Sequence, residues 1–404
     1  MPSPAQSCDM LFISQYYRPE TIGSGPFCAD VAEAFVAQGR RVCLLTTRPH
    51  YPSGSVFPRY RNGELDTQRI RGVEVERVPT LVSSRGGAIQ RFAGEGWFLL
   101  QGLLAIGATR IRRSDLVVSL CPSILSVLLG NVCRRRGARH IALVHDIQSG
   151  LAEGLGQVSG PVPRLLRYLE RTVLNRCDLV VVLSENMRRQ LLRCGATAPI
   201  EVLPIWADTE NVQPRPMPPG PARTALYSGN FGRKQGLMQL VDLAEVLRAR
   251  GSALRIVLRG QGNQADAINR AVADRKLNNV TFCDLLAPER LADGLAEGDI
   301  HLVPQNPVIA DFAVPSKVYA IMAAGRPFVA TAVRDSSLWQ LQKDCGAFIC
   351  VPPNAPQRLA DAVLHLADDR DLRREMGERG HRYVKDHYSK DACLARLMAA
   401  IEGG

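Results

Sequence analysis

Short apolar runs of strand length alternate with longer amphipathic stretches through most of this 404-residue sequence, and that alternation restricts the fold more than any other feature. A strand covered by helices on both faces reads as a continuous apolar run, so the series predicts an α/β fold with parallel sheets between helical layers. In the first half the expected strands are residues 10–14, 41–46, 73–78, 116–120, 141–144, 179–183 and 200–203. Residues 27–38 lie between the first two, with an apolar stripe of Val31, Ala34 and Phe35 and a stop at Gly39, which completes one βαβ unit.

The pattern breaks at Trp206 and runs through NVQPRPMPPGPAR, whose prolines exclude a helix or a central strand. A second series follows, with strands expected at 224–228, 253–259, 279–282, 300–304, 328–331 and 347–351 and helices at 237–250 and 356–367. The expected organisation is a Rossmann-like domain over 1–205, a second over 206–378, and a C-terminal helix over 379–404 packing back on the first. Two such domains facing a central cleft would take ligands at the carboxyl ends of their strands.

Composition removes several alternatives. With 46% hydrophobic and 22% charged residues the chain can bury two cores, which excludes a disordered or fibrous protein. Lys plus Arg number 50 against 39 Asp plus Glu, and the balance of +11 favours an anionic partner. Aromatics are only 6% and do not interleave with the arginines, which counts against nucleic acid as that partner. The eleven cysteines include no CxxC pair, so neither a zinc cage nor a disulfide framework is expected. They read as small apolar residues of a reduced, cytoplasmic protein, and the first residues lack the basic and apolar regions of a secretory signal.

The apolar stretches 97–108 and 116–132 are too interrupted for a transmembrane helix. Arg110, Arg112 and Arg113 follow the first; Arg134, Arg135, Arg136 and Arg139 follow the second. Two readings stay open: core helices with solvated ends, or a basic apolar face lying on an anionic membrane surface.

Four segments carry candidate chemistry. After the first strand, Tyr16 and Tyr17 lead to Gly23, Ser24 and Gly25 ahead of a helix, where backbone N–H groups can meet an anion. The third glycine of GxGxxG and an acidic ribose ligand after the second strand are missing, which counts against a dinucleotide; Thr46-Thr47-Arg48-Pro49-His50 stands there instead. The run 141–144 ends in His145-Asp146, an imidazole for a sugar hydroxyl or a developing positive charge beside a carboxylate that can orient a sugar. Gly229, Asn230, Gly232, Arg233 and Lys234 open the second series, with glycines for close approach and cations for a diphosphate. Finally Asp311, Pro315, Ser316, Lys317 and Val318 lead into AIMAAGRP, where a hydroxyl, an ammonium and helix N–H groups would gather around an anion.

Together, QYYRPETIGSG, TTRPHYPSG, VHDIQ, SGNFGRKQGL, LRGQG and VPSKVYAIMAAGRP resemble the retaining glycosyltransferases of the GT-B fold, family 4. The resemblance is narrower to bacterial surface-polysaccharide transferases of the N-acetyl-L-fucosamine and colanic-acid type, and it covers nearly the whole chain. It implies that Arg233, Lys234, Ser316, Lys317 and Val318 contact the diphosphate of a nucleotide-sugar donor. Gly229, Asn230, Gly260 to Gly262 and Cys283 to Leu286 would border the rest of that donor. Gly23, Ser24 and Gly25 would approach its phosphates and His145 its sugar ring, with the acceptor near Tyr16, Tyr17, His50 and Asp146. Two departures stand out: Phe312 and Ala320 occupy the positions of the family's two glutamates, with Asp311 beside the first, and Asn230 replaces the arginine of the basic loop.

The implied reaction is transfer of a hexose from a UDP-sugar to a lipid-linked saccharide or other glycan with retention and with no metal or other cofactor, at the inner face of the cytoplasmic membrane. A nucleotide-sugar epimerase of the same fold is the enzymatic alternative, and it would need paired carboxylates in its site.

Overall fold

The structure, a computed structural model, describes residues 8–20, 24–51, 54–82, 88–158, 160–310, 312 and 314–403. It divides into two compact units, Met1–Leu203 with Leu394–Gly404, and Pro204–Cys393.

In the first unit the described strands are β1 (Met10–Ile13), β2 (Val42–Thr47), β3 (Thr67–Ile70), β4 (Val73–Val78), β5 (Ser114–Cys121), β6 (Arg134–Val144), β7 (Leu179–Val182) and β8 (Ile200–Val202). They lie in the order β3-β4-β2-β1-β5-β6-β7-β8, parallel except for β3. The MLFI of β1 and the LVVV of β7 are buried at every position, as strands covered on both faces must be. Helices α1 (Gly25–Ala37), α2 (Ala88–Gly107), α3 (Ile124–Cys133), α4 (Gln148–Gly154), α5 (Val162–Leu174) and α6 (Glu185–Arg193) connect them. The strand order reverses beside β1, between β2 and β5, so the chain leaves β1 and β5 in opposite directions and opens a crevice at their carboxyl ends.

In the second unit β9 (Thr224–Ser228), β10 (Arg255–Arg259), β11 (Val280–Cys283), β12 (Ile300–Pro304), β13 (Phe328–Thr331) and β14 (Ile349–Val351) form a parallel sheet in the order β11-β10-β9-β12-β13-β14. Helices α7 (Met238–Ala249), α8 (Ala265–Asp274), α9 (Leu291–Ala296), α10 (Lys317–Ala323), α11 (Ser337–Cys345), α12 (Pro356–Asp368) and α13 (Arg370–His387) cover it. Leu240, Leu243 and Leu247 of α7 and Leu359, Val363 and Leu366 of α12 pack with Ile256 and Leu258 of β10 in one core. Here the reversal falls between β9 and β12.

Several expectations are corrected. The series of expected strands omits β3, because TQRI alternates exposed and half-buried positions at a sheet edge; it pairs antiparallel with β4 through a turn at Arg71 and Gly72. The strand expected at 116–120 lies inside β5, and Ser123 caps the following α3 by accepting from Leu125 N (3.3 Å). The segment expected to begin at 379 starts inside α13, an unbroken 18-residue helix capped by Asp369. A further helix, α14 (Lys390–Glu402), follows, and the chain joins the first unit from Leu394. There Arg40 pairs with Glu402 (2.7 Å) and Arg139 donates to Ala400 O (3.2 Å).

Cysteine usage is corrected as well. Cys8, two residues before β1, and Cys43 of β2 are paired as a disulfide, 35 residues apart in sequence, a pairing that spacing alone does not reveal. Cys28, Cys121, Cys133, Cys177 and Cys393 are free and buried. Among the described residues no helix is long and apolar enough to cross a membrane.

Candidate functional site

In the second unit the carboxyl-end loops of β9, β10 and β12 are bonded to one another. Gly229 N donates to Arg259 O (2.9 Å), Gly260 N to Cys283 O (3.1 Å) and Phe231 N to Gln261 O (2.7 Å). Gly260 has φ 156°, and a Cβ there would lie 1.9 Å from Gly229 O, so no side chain fits between the two loops. Gly229 has φ 147°, and a Cβ there would come within 2.9 Å of Lys317 Nζ. On the other side of the switch point, Asn306 N donates to Lys234 O (3.0 Å) and Asn306 Nδ2 to Arg233 O (3.2 Å). The result is a ring of backbone around the ends of β9 and β12 with Arg233 exposed and Lys234 half-buried on its rim.

Lys317, the first residue of α10, reaches into this ring. Its Nζ is buried without a hydrogen-bond partner and stands 3.7 Å from the centroid of the buried Tyr227 ring, whose hydroxyl donates to Asn230 O (2.6 Å). A cation over an aromatic face gains something from the ring quadrupole, but less than water or an anion would give it. Burial therefore pushes the ammonium down to about 7 from its ordinary 10.5. Tyr227 stands in the strand before the glycine turn, and nothing in its local pattern marks it as the ring beneath Lys317.

The other residues expected at the donor are placed as follows. Ser316 is exposed and makes no side-chain cap, and α10 has only seven residues, so the arrangement owes little to a long helix. Val318 is wholly buried at the helix start, and its N–H donates to Pro315 O (3.2 Å). Gly262 lies against Phe231 beside Asn230. Leu286 is half-buried after β11 and packs on Gly294. Gly23 and Asp311 lie outside the described residues.

In the first unit the loops after β1 and β2 are held together by Glu20. Its buried carboxylate accepts from Tyr17 N (3.3 Å), His50 N (3.0 Å) and Tyr51 N (2.9 Å), and burial raises its pKa against these donors. Tyr16 is half-buried with its ring 5.7 Å from those of His50 and Tyr51. Tyr17 is 0% exposed, so the expectation that it meets an acceptor is corrected: it is a core residue. Ser24 and Gly25 open α1.

His145 leaves the tip of β6 with its N–H on Cys121 O (3.2 Å) and its ring edge-on to Phe27 at 5.7 Å. Burial pushes it down to about 4, so the imidazole is neutral at pH 7 and can accept a proton or a hydrogen bond. Asp146 is half-buried beside it. Behind this tip, Glu95 of α2 and Glu170 of α5 bind Gln148 and Ser149. Glu95 was legible only as a carboxylate beside an apolar helical stretch. Among the described residues, the grouping with metal-ligand spacing is Cys8, Cys43 and Glu74, around the amino ends of β1, β2 and β4, the ends opposite these loops, and its two sulfurs are bonded to each other rather than free as thiolates.

The buried lysine sets a stability prediction. The unfolded chain keeps the Lys317 proton up to about 10.5, whereas the folded protein releases it near 7, so the residue costs most stability below pH 7 and progressively less as pH rises. Lys317→Met should unfold at higher urea than the parent at pH 7, with the gap narrowing toward pH 10. A gap independent of pH, or a less stable variant, contradicts the burial of the ammonium.

The comparisons with known proteins agree in kind. Residues 23–206 match the family model described as glycosyl transferase 4-like domain, and residues 222–369 match glycosyl transferases group 1. The chain is 28% identical over 384 residues, 90% of its length and 94% of the relative's, to WcaI of Escherichia coli (strain K12), assigned as a colanic acid biosynthesis glycosyl transferase. It is 24% identical over 72% of its length, and 76% of the relative's, to WbjE of Pseudomonas aeruginosa, assigned as a glycosyltransferase. Among solved structures, sucrose-phosphate synthase from Thermosynechococcus elongatus superposes with TM-score 0.77 at 17% identity, covering 98% of each chain. Anabaena HepE in complex with UDP and glucose gives 0.71 at 13% identity, covering 98% of this chain and 99% of that one. These relatives set the epimerase alternative aside. With its two switch-point sheets and both domain matches in chain order, this chain is a glycosyltransferase of the GT-B fold, with a family-4-like first domain.

Proposed function

We propose that the chain transfers a hexose from a UDP-sugar to a lipid-linked saccharide in surface-polysaccharide biosynthesis, retaining the anomeric configuration. The observation that carries this reading is Lys317: a buried ammonium with no hydrogen-bond partner, ringed by backbone at the switch point, is completed by an anion of diphosphate charge. Arg233 and Lys234 on the rim add to that charge complement. The names and complexes of the relatives support the donor class and the polysaccharide setting.

The bond from the anomeric carbon to the diphosphate oxygen breaks, and the electron pair leaves with the nucleotide. The acceptor oxygen bonds to the anomeric carbon on the same face, and its proton passes to the departing diphosphate. Lys317, protonated once the anion is present, and Arg233 with Lys234 stabilise the charge that develops on the leaving group. Neutral His145 offers its lone pair to the sugar, whose ring carries positive charge in the transition state. The residues at the diphosphate are cations and amides, so this reading assigns the site no metal.

The outer face of α2 supports a membrane-bound acceptor. Leu100, Leu103 and Leu104 are 47%, 39% and 57% exposed there, and the exposed Arg112 and Arg113 follow just beyond the helix. Apolar side chains beside cations match an anionic bilayer surface.

Two outcomes test this. Incubated with labelled UDP-glucose, UDP-galactose or UDP-N-acetylglucosamine and bacterial lipid extract, the protein should place label in the organic phase, with the α-anomer formed from an α-linked donor. Lys317→Ala should lower kcat/KM by about 10²–10³-fold. Transfer from GDP- or ADP-sugars alone, or a β-anomer, overturns the donor or the stereochemistry. Separately, vesicles containing phosphatidylglycerol should sediment the parent, and the double variant Arg112→Glu, Arg113→Glu should stay in the supernatant; equal sedimentation removes the membrane reading.

A further inference from the structure

We infer that Glu170 and Glu95 are positioning residues for the transfer reaction, holding the turn that carries His145 and Asp146; this rests on the reading of His145 as the group that meets the sugar. The turn leaves β6 and enters α4 within three residues, and α4 is only seven residues long with no capping side chain from Ile147. Its first two amides, Gln148 N and Ser149 N, would be orphan donors in a buried place. Glu170 supplies the cap from another helix: Oε1 accepts from Gln148 N at 3.0 Å and Ser149 N at 3.4 Å, and Oε2 accepts from Ser149 Oγ at 2.5 Å.

Glu95 fixes the same residue from α2. Its Oε2 accepts from Gln148 Nε2 (2.7 Å) and from Ser123 Oγ (2.9 Å), while Gln148 Oε1 accepts from Ile124 N (3.1 Å). Gln148 thus ties α2, the β5–α3 turn and α5 together three residues beyond His145. His145 itself is held upstream by its N–H on Cys121 O and sideways by the Phe27 ring.

Packing does not explain these carboxylates. They are 4% and 5% exposed, and burying a carboxylate costs far more than burying an apolar residue of the same size, a cost that hydrogen bonds only offset. What a carboxylate provides and a leucine does not is several directed acceptors at one point. Here every acceptor named is aimed at the segment following His145 or at the neighbouring turn it rests on. Displacing a reacting group by about 1 Å can cost on the order of 10²-fold in rate, so a turn pinned at both ends has catalytic value.

The test measures UDP release from the most active of UDP-glucose, UDP-galactose and UDP-N-acetylglucosamine in four proteins: parent, His145→Ala, Glu170→Gln, and the double variant. Glu170→Gln should lower kcat by about tenfold or more with UDP affinity unchanged, because the cost falls on alignment in the first unit. In the His145→Ala background the same substitution should have no further effect, since a positioning residue acts through the group it positions. A full, additive loss in the double variant overturns the inference and leaves His145 intact. An unimpaired His145→Ala overturns the reading beneath it. Ser149→Ala, which removes one of the three bonds to Glu170, keeps the test open if Glu170→Gln does not fold; it should show a smaller loss with the same dependence on His145, and a loss independent of His145 overturns the inference.

Discussion

A parallel sheet whose strand order reverses beside its first strand leaves an unfilled place at the carboxyl ends of two strands, and both units of this chain are organised around such a reversal. Between β9 and β12 the loops must diverge, and the protein closes the gap with backbone: Gly229 against Gly260 on one side, Lys234 O and Arg233 O against Asn306 on the other. No side chain fits between Gly229 and Gly260, so the polar groups gathered there are backbone amides and the ammonium of Lys317, with Arg233 and Lys234 on the rim. The reversal beside β1 is filled differently, by Glu20 clasping two loops and by the pinned turn after β6.

The two units use buried charge in opposite ways. In the first, buried carboxylates are satisfied by backbone and hydroxyl donors and serve to fix geometry. In the second, the buried ammonium is left unsatisfied and near neutrality, which costs folding stability and leaves interaction energy to be gained when an anion arrives. On the proposed function, an anion entering this site at pH above about 7 is expected to bring a proton with it.

Much of the scaffold was legible because it depends on neighbours in sequence. Residues 73–78, 224–228, 300–304 and 328–331 form strands with the expected bounds, since each is a predominantly apolar run stopped by a turn. The glycine loops and Lys317 were legible for the same local reason. What escaped depends on partners far along the chain. Tyr17 looks like an accessible aromatic beside Tyr16, yet Glu20 binds its amide and turns it inward. Glu170 reads as one charge on a basic helix, and only the fold brings it 22 residues back to Gln148. The edge strand β3, the Cys8–Cys43 bond and the point at which the chain rejoins the first unit are likewise long-range facts that no local pattern encodes.

The central claim is that Lys317 waits for a diphosphate. Calorimetric titration of UDP into the parent and into Lys317→Ala, at pH 8 in two buffers of different ionisation enthalpy, tests it most directly. The account predicts binding by the parent with uptake of close to one proton, and loss of both the affinity and the proton uptake in the variant. Binding of UDP that is equally tight in the two proteins, or that takes up no proton, would contradict it.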